Sequence, residues 1–230
     1  VTGSIVSPEL RARVRGAATP IATGFGRLGL TPNHLTLIGF GIAIVAAWAA
    51  AQQAWLAAGL LVVFGGVFDL FDGALARATG KATKLGAFMD SVFDRAGEAI
   101  VYLGIVAGLL ESGWVGAPLF AGAAMGSAFM VSYVRAKSES LGFTVGSGMA
   151  AVGLAPREVR ILILTVGLLG AGVLGTSIVS TCETCAGGAA LPFGVLALEA
   201  SLGLITLLAT ITTIQRILHV IDQSANKEHQ

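Results

Sequence analysis

Six long apolar runs dominate this 230-residue chain. They cover residues 33–51, 54–78, 83–111, 115–141, 156–178 and 190–222. Each holds enough apolar residues for the ~20 that a helix needs to cross a bilayer. Composition agrees: 55% of residues are hydrophobic and 12% are charged, against about 25% charged in a soluble domain. The expected fold is an all-α integral membrane protein of six transmembrane helices. Glycine is abundant at 32 residues, as expected where membrane helices pack closely through small side chains.

The cations orient the spans. Lys and Arg occur at 11, 13, 15, 27, 77, 81, 84, 95, 135, 137, 157, 160, 216 and 227. All fall on or near the N-terminal segment, the connections between spans 2 and 3 and between spans 4 and 5, or the C-terminus. The connections after spans 1, 3 and 5 carry none. The positive-inside rule then predicts a multi-pass protein of the cell membrane with both termini in the cytoplasm.

Residues 1–7 read as a polar tail without the apolar core of a cleavable signal peptide. Residues 8–28 are weakly amphipathic, with Arg11, Arg13, Arg15 and Arg27 set against Leu10, Val14, Ala17, Ala18 and Ile21. A cytoplasmic juxtamembrane amphipathic helix on an anionic surface fits this pattern, as does a simple basic flank. Gly29-Leu30-Thr31-Pro32-Asn33 is a break, with Thr31 placed to cap the next helix and Pro32 at its first position. The expected organisation is residues 1–32 as tail and juxtamembrane helix, 33–222 as the six-helix domain, and 223–230 as a C-terminal tail.

The chemistry is concentrated between Asp69 and Asp94. Asp69 and Asp72 are spaced i, i+3, and Asp90 and Asp94 i, i+4. Each spacing puts both carboxylates on one helix face. The first pair ends span 2 and the second opens span 3, so two antiparallel neighbours can bring the acidic faces together. Carboxylates at the end of a membrane span are expensive and commonly bind ions or do chemistry. Solvated helix ends paired with nearby Lys and Arg are the plainer alternative. Crowded hard oxygen ligands call for a hard cation, Mg²⁺, Mn²⁺ or Ca²⁺. Gly73 and Gly86 remove side chains beside the acids. Arg77, Lys81 and Lys84 add positive charge, which suits a phosphate-bearing substrate. Arg77 is expected to pair with substrate or with its neighbours. The topology puts the cluster on the cytoplasmic side.

The pattern Asp69-x-x-Asp72-Gly73-x-x-Ala76-Arg77, eight residues, Gly86-x-x-x-Asp90-x-x-x-Asp94 resembles the signature of the CDP-alcohol phosphotransferase (phosphatidyltransferase) family position for position. The resemblance covers nearly the whole chain, because that family also has six membrane helices and a juxtamembrane helix. Gly29 to Asn33 is similar to the segment before its first span. The resemblance implies that an alcohol attacks the β-phosphorus of CDP-diacylglycerol and CMP leaves. It implies Asp69, Asp72, Asp90 and Asp94 as ligands of two Mg²⁺ ions, with Mn²⁺ an alternative, and Asp94 as the base for the acceptor hydroxyl. Gly73, Ala76, Arg77 and Gly86 would form the CDP-lipid site, with Thr31 and Pro32 beside it. A homodimer is implied as well. The run Ala121-Gly122-Ala123-Ala124-Met125-Gly126 could pack against a second subunit or within one chain.

The acceptor is read from cations outside the signature. Arg135 and Lys137 in span 4, Arg157 and Arg160 in span 5 and Arg216 in span 6 aim charge at one membrane face. An acceptor with its own phosphate would use them, because arginine offers forked donors to phosphate oxygens. Topology alone would also put cations there. The stretches around Ser132–Lys137, Gly153–Arg160 and Gln215–Arg216 are similar to the prokaryotic phosphatidylinositol-phosphate synthase branch, whose acceptor is inositol 1-phosphate. Pro156 stands where that branch often has Glu, and Val159 where an acid is common. Phosphatidylglycerophosphate synthase and archaetidylinositol-phosphate synthase are therefore the alternatives.

Net charge is +1, so no nucleic-acid partner is indicated. Expected partners are CDP-diacylglycerol, a phosphorylated alcohol and membrane lipids. A metal-ion transporter would carry its acids near the bilayer midplane, which the clustering at one end disfavours. A non-catalytic membrane subunit is a third class, to which the intact signature lends no support. Cys182 and Cys185 form a CxxC in an outward connection, open to either a disulfide or free thiols. No further ligand for zinc is near.

Overall fold

The computed structural model describes residues 8–80, 82–111, 116–143, 152–175 and 193–228. Lys81, Cys182 and Cys185 fall outside them. Among the described residues the chain is all-helical: α1 Pro8–Arg27, α2 Pro32–Ala51, α3 Trp55–Ala78, α4 Lys84–Glu111, α5 Gly116–Ser140, α6 Arg157–Leu174 and α7 Phe193–Glu228.

Helices start and stop where the sequence punctuates them. The Thr31 hydroxyl accepts from the His34 amide at 3.3 Å, and His34 Nδ1 accepts from the Thr31 amide at 3.3 Å, with Pro32 opening α2. That reciprocal cap satisfies two amides that the helix leaves unpaired. Gln53, at φ 57°, turns the chain between α2 and α3. The apolar pattern carries span 5 to residue 178, but α6 stops at Leu174, where Gly175 adopts φ +77°. At the other extreme α7 runs six residues past the expected end of its apolar run, through residues expected to be tail.

Among the described residues four helices are long and apolar enough to cross a membrane: Pro32–Ala51, Trp55–Ala78, Gly116–Ser140 and Phe193–Ala225. The exceptions are informative. α4 carries Asp90, Asp94, Arg95 and Glu98 in its first half, and α6 opens with Arg157, Glu158 and Arg160. Their apolar stretches are shortened by the charged residues that line the site described below.

Gly39 of α2 meets Asp69 while Ile42 meets Gly65, so α3 runs opposite to α2, and Ala47 and Ala50 meet Gly104 and Gly108 in order, so α4 runs parallel to it; the bundle has two ends. At one end lie Ala46, Ala49, Ala50, Trp55, Ala58, Tyr102, Ile105, Leu109, Ala117, Ala121, Ala124, Leu168, Ala171, Val195, Leu198 and Leu202, which form most of the buried core. Backbones nearly touch there. A Cβ on Gly104 would overlap the Ala47 carbonyl, and one on Gly108 the Ala50 carbonyl, so α4 lies directly on α2. Close approach of this kind is what small residues permit between membrane helices.

At the other end a second cluster forms from Ala22, Leu35, Ala74 and Leu75, bordered by Phe25, Leu30, Phe68 and Phe71. Phe25 of α1 stands 5.7 Å from the Phe71 ring and 6.1 Å from Phe68. A side chain on Gly26 would come within 2.9 Å of Leu75. These contacts clamp α1 across the last turns of α3, the turns that bear Asp69 and Asp72.

Candidate active site

The two aspartates of α3 are three residues apart, yet they have different partners. Asp72 is buried, and its Oδ2 accepts from the Thr36 hydroxyl of α2 at 2.8 Å. Asp69 reaches toward α6: its Oδ2 accepts from Arg157 Nη2 at 2.8 Å. Its other oxygen lies where a Cβ on Gly39 would come within 3.3 Å, so the missing side chain of Gly39 makes room for the carboxylate. On α4, Asp94 Oδ2 accepts from Arg157 Nη1 at 2.9 Å, and Arg95 stands 3.7 Å from the same oxygen. One guanidinium fork therefore links a carboxylate of α3 to one of α4. Arg157 Nε has no hydrogen-bond partner among the described residues.

These groups open onto a cavity of about 650 Å³. Asp69, Asp90, Asp94, Arg135, Arg157, Arg160 and Arg216 all line it. Four of the five cations expected around an acceptor phosphate thus share one space with three of the four aspartates. Lys137 does not line it; its side chain is exposed. The helix period explains the split, because Lys137 lies two residues from Arg135 and projects from another face.

Each cavity arginine is held in a different way. Arg135 pairs with Glu139 at 2.9 Å near the surface. Arg160 is 1% exposed; its Nε and Nη2 each donate to Glu98 at 3.0 Å, and Nη1 donates to the Ala155 carbonyl at 3.2 Å. Arg216 is buried and donates to two carbonyls, Val131 at 2.7 Å and Val152 at 3.0 Å. The segment before α6 is fixed to α7 at the same place. The Leu154 and Ala155 amides donate to the Thr212 hydroxyl at 3.1 and 2.9 Å. Gly153, at φ +119°, brings its backbone against the Thr212 methyl, where a Cβ would overlap. A left-handed backbone in such close contact requires glycine.

The residues expected to hold a CDP-lipid lie away from this cavity. Thr31, Pro32, Gly73, Ala76, Arg77 and Gly86 are absent from its lining, as is the metal-ligand candidate Asp72. Some of them meet where α2, α3 and α4 approach one another. A Cβ on Gly86 would come within 3.1 Å of Thr83 Oγ1 and 3.3 Å of Asn33 Oδ1. The Arg77 guanidinium lies over Gly73, 3.3 Å from where a Cβ would stand. Arg77 makes no ion pair with Asp69 or Asp72 among the described residues; its side chain is exposed.

Among the described residues no three acidic, His or Cys side chains converge closely enough to hold a metal ion as they stand. Like-charged carboxylates repel, and here three of the four have taken a nearby donor: Thr36 for Asp72, Arg157 for Asp69 and Asp94. The donor chemistry still fits a divalent cation. All four ligand candidates are hard oxygens, and the Asp69–Asp94 gap already accommodates the positive charge of Arg157.

Comparison with known proteins decides the family. The family model for CDP-alcohol phosphatidyltransferase matches residues 29–218. The chain belongs to that family. Its match takes in all four aspartates and all the cavity arginines of this phosphatidyltransferase. An archaetidylinositol phosphate synthase of Pyrococcus horikoshii is 38% identical over 161 residues, covering 70% of this chain and 81% of that protein. A phosphatidylinositol phosphate synthase of Cutibacterium acnes is 34% identical over 217 residues, 92% of this chain and 96% of its own length. The crystal structure of the Mycobacterium tuberculosis phosphatidylinositol phosphate synthase with CDP-DAG bound aligns at TM-score 0.70 and 26% identity, covering 88% of this chain and 92% of that one. The same enzyme in complex with manganese and citrate aligns at TM-score 0.69 and 25% identity, over 88% of each chain.

Sequence reasoning passed over Thr36, Glu98 and Thr212. Thr36 and Thr212 lie within apolar runs, where a hydroxyl is easily taken for a satisfied helix residue. Glu98 carried a usable signal: it extends Asp90 and Asp94 by a further four residues on the same face of α4.

Proposed function

We propose that this enzyme transfers the phosphatidyl group of CDP-diacylglycerol to inositol 1-phosphate and releases CMP. The observation that carries this reading is the shared cavity, in which Arg135, Arg157, Arg160 and Arg216 face Asp69, Asp90 and Asp94. Arg216 weighs most, because the partners described for it are carbonyl oxygens and it makes no ion pair among the described residues. A phosphorylated acceptor supplies the matching charge, and free inositol or serine does not.

In this reading the inositol hydroxyl oxygen attacks the phosphorus bearing the diacylglycerol. Asp94 takes the hydroxyl proton. The bond from that phosphorus to the CMP oxygen breaks. Arg157, Arg160, Arg216 and Arg135 hold the acceptor phosphate, with Lys137 nearer the surface. Thr31, Pro32, Gly73, Ala76, Arg77 and Gly86 hold the CDP moiety on the opposite side of the aspartates. Asp69, Asp72, Asp90 and Asp94 hold two Mg²⁺ ions, or Mn²⁺ in their place. Bound divalent metal supplies stabilisation of the charge that develops on the pyrophosphate.

The same reading places α2 to α7 across the cell membrane as six spans within residues 33–222, with α1 at the interface and the active site and both termini cytoplasmic. It also takes the protein as a homodimer. Ala121 and Ala124 are buried within the chain, while Gly122 and Gly126 face open space one turn apart, which leaves a small-residue face for a second subunit.

A second reading, transfer of an archaetidyl group to the same acceptor, is favoured by the 38% identity to the archaeal synthase. The test is CMP release by purified protein given Mg²⁺ and either CDP-diacylglycerol or CDP-archaeol. Inositol 1-phosphate, glycerol 3-phosphate, free inositol and serine are supplied in parallel. Turnover with inositol 1-phosphate alone is expected; turnover only with glycerol 3-phosphate or an unphosphorylated alcohol rejects the reading.

A further inference from the structure

Glu98 is neither part of the aspartate signature nor a lining residue of the large cavity, yet it is buried against a cation that does line it. Its side chain is 7% exposed and that of Arg160 is 1% exposed. The two meet side-on, Nε to Oε1 and Nη2 to Oε2, both at 3.0 Å. A guanidinium has five N–H donors in a fixed plane. Glu98 takes two, and Ala155 takes one through Nη1. One N–H on each terminal nitrogen remains. A carboxylate clamped on the side-on edge fixes the guanidinium plane and therefore the direction of those remaining donors. Without that clamp only the bond from Nη1 to the Ala155 carbonyl orients the guanidinium, and its remaining donors lose their fixed aim.

We propose that Glu98 is a positioning residue that aims Arg160 at the phosphate of the acceptor alcohol, acting on substrate only through that arginine. It offsets the charge of Arg160, so its contribution is to geometry and not to net attraction. Arg216 provides the attraction, and the Glu98–Arg160 pair selects where the phosphate sits. A buried ion pair is in itself weak support for stability, since apolar pairs of similar volume commonly serve as well. The position of Glu98 on the same face as Asp90 and Asp94, one and two turns on, keeps Arg160 in register with the reacting groups. The inference rests on the phosphorylated-acceptor reading above.

The test is steady-state kinetics of the full-length protein in detergent, with CDP-diacylglycerol, Mg²⁺ and inositol 1-phosphate. Glu98→Gln is expected to raise the acceptor KM about tenfold, the scale of one charge-assisted hydrogen bond. The KM for CDP-diacylglycerol and the kcat at saturation should stay within about twofold, since the loss is confined to acceptor binding. Glu98→Asp should recover part of the loss. Arg160→Gln should raise the same KM, and adding Glu98→Gln to it should raise it no further, the sign of two residues acting as one. Parallel loss of kcat, both KM values and thermal stability would mark the pair as structural and overturn the proposal, as would an unchanged acceptor KM. If Glu98→Gln leaves an uncompensated buried charge and does not fold, the double variant Glu98→Gln/Arg160→Met removes that charge. A folded double variant whose raised acceptor KM equals that of Arg160→Met alone supports the proposal; a further rise, a normal KM, or failure to fold overturns it. The wild-type enzyme judges the acceptor reading separately. If it accepts glycerol 3-phosphate instead, that reading falls and Glu98 is judged on the KM for that acceptor. If it accepts only unphosphorylated alcohols, both fall.

Discussion

The two ends of the bundle solve opposite problems. At the core end, α2 and α4 touch through Gly104 against Ala47 and Gly108 against Ala50, and the interior is Ala, Leu and Ile. At the site end α3 carries Asp69 and Asp72 and α4 carries Asp90 and Asp94, and Arg95, Arg135, Arg157, Glu158, Arg160 and Arg216 of α4 to α7 join three of these aspartates around a cavity of about 650 Å³. Small residues let backbones close at one end, and long charged side chains hold them apart at the other. The packed end fixes helix positions, so the open end can keep like charges near one another without the helices separating. Stability and activity should therefore be separable by mutating one end or the other.

The largest effect expected is at the open end. Asp94→Asn should lower turnover about 10²-fold or more, the usual scale of a lost general base. The thermal midpoint should stay within about 4 °C, because no apolar packing changes. Calorimetry or a dye-based melt beside CMP release checks both. A variant that loses turnover and folding together would erase the distinction between the ends.

Gly104→Val at the packed end should do the reverse. The added side chain would overlap the Ala47 backbone, and overpacking of this kind costs about 1–3 kcal/mol. The melting midpoint should fall, and activity should fall only in proportion to the unfolded fraction. Residual molecules with unchanged KM values are the expected signature.

Much of this was legible in the sequence, and the physical reasons differ by region. Six helices, α2 to α7, lie within a few residues of their apolar runs because lipid and core burial both demand long apolar segments. The spacing of the aspartates gave their helix faces, but not their partners. Asp69 and Asp72 read as one acidic face; three residues on a helix still separate them by enough rotation for one to meet Thr36 and the other Arg157. Arg216 read as a phosphate ligand on charge alone. Its anchoring to the Val131 and Val152 carbonyls depends on contacts 85 and 64 residues away in the chain, which no local pattern encodes.

Two smaller effects sharpen the contrast within the open end. Thr36→Val removes the hydroxyl that orients Asp72. Turnover should drop about tenfold, the scale of a hydrogen bond to a charged group, and raised Mg²⁺ should restore part of it. Insensitivity to this change would mean that Asp72 is oriented by something other than α2. Arg135→Gln should have the least effect. The arginine is already paired with Glu139 at the surface, where ion pairs contribute little. A rise of about threefold in acceptor KM is expected; a tenfold or greater rise would promote Arg135 to the level of Arg216.

The central claim is that a phosphorylated alcohol enters the arginine-lined cavity and leaves as part of the lipid. The most direct measurement supplies radiolabelled inositol 1-phosphate with CDP-diacylglycerol and Mg²⁺, then compares label in the organic phase with CMP released. Equal amounts of lipid-borne label and CMP, with both abolished together in Asp94→Asn, are the predicted result. CMP release without transfer of label, or label transfer that survives in Asp94→Asn, would contradict it.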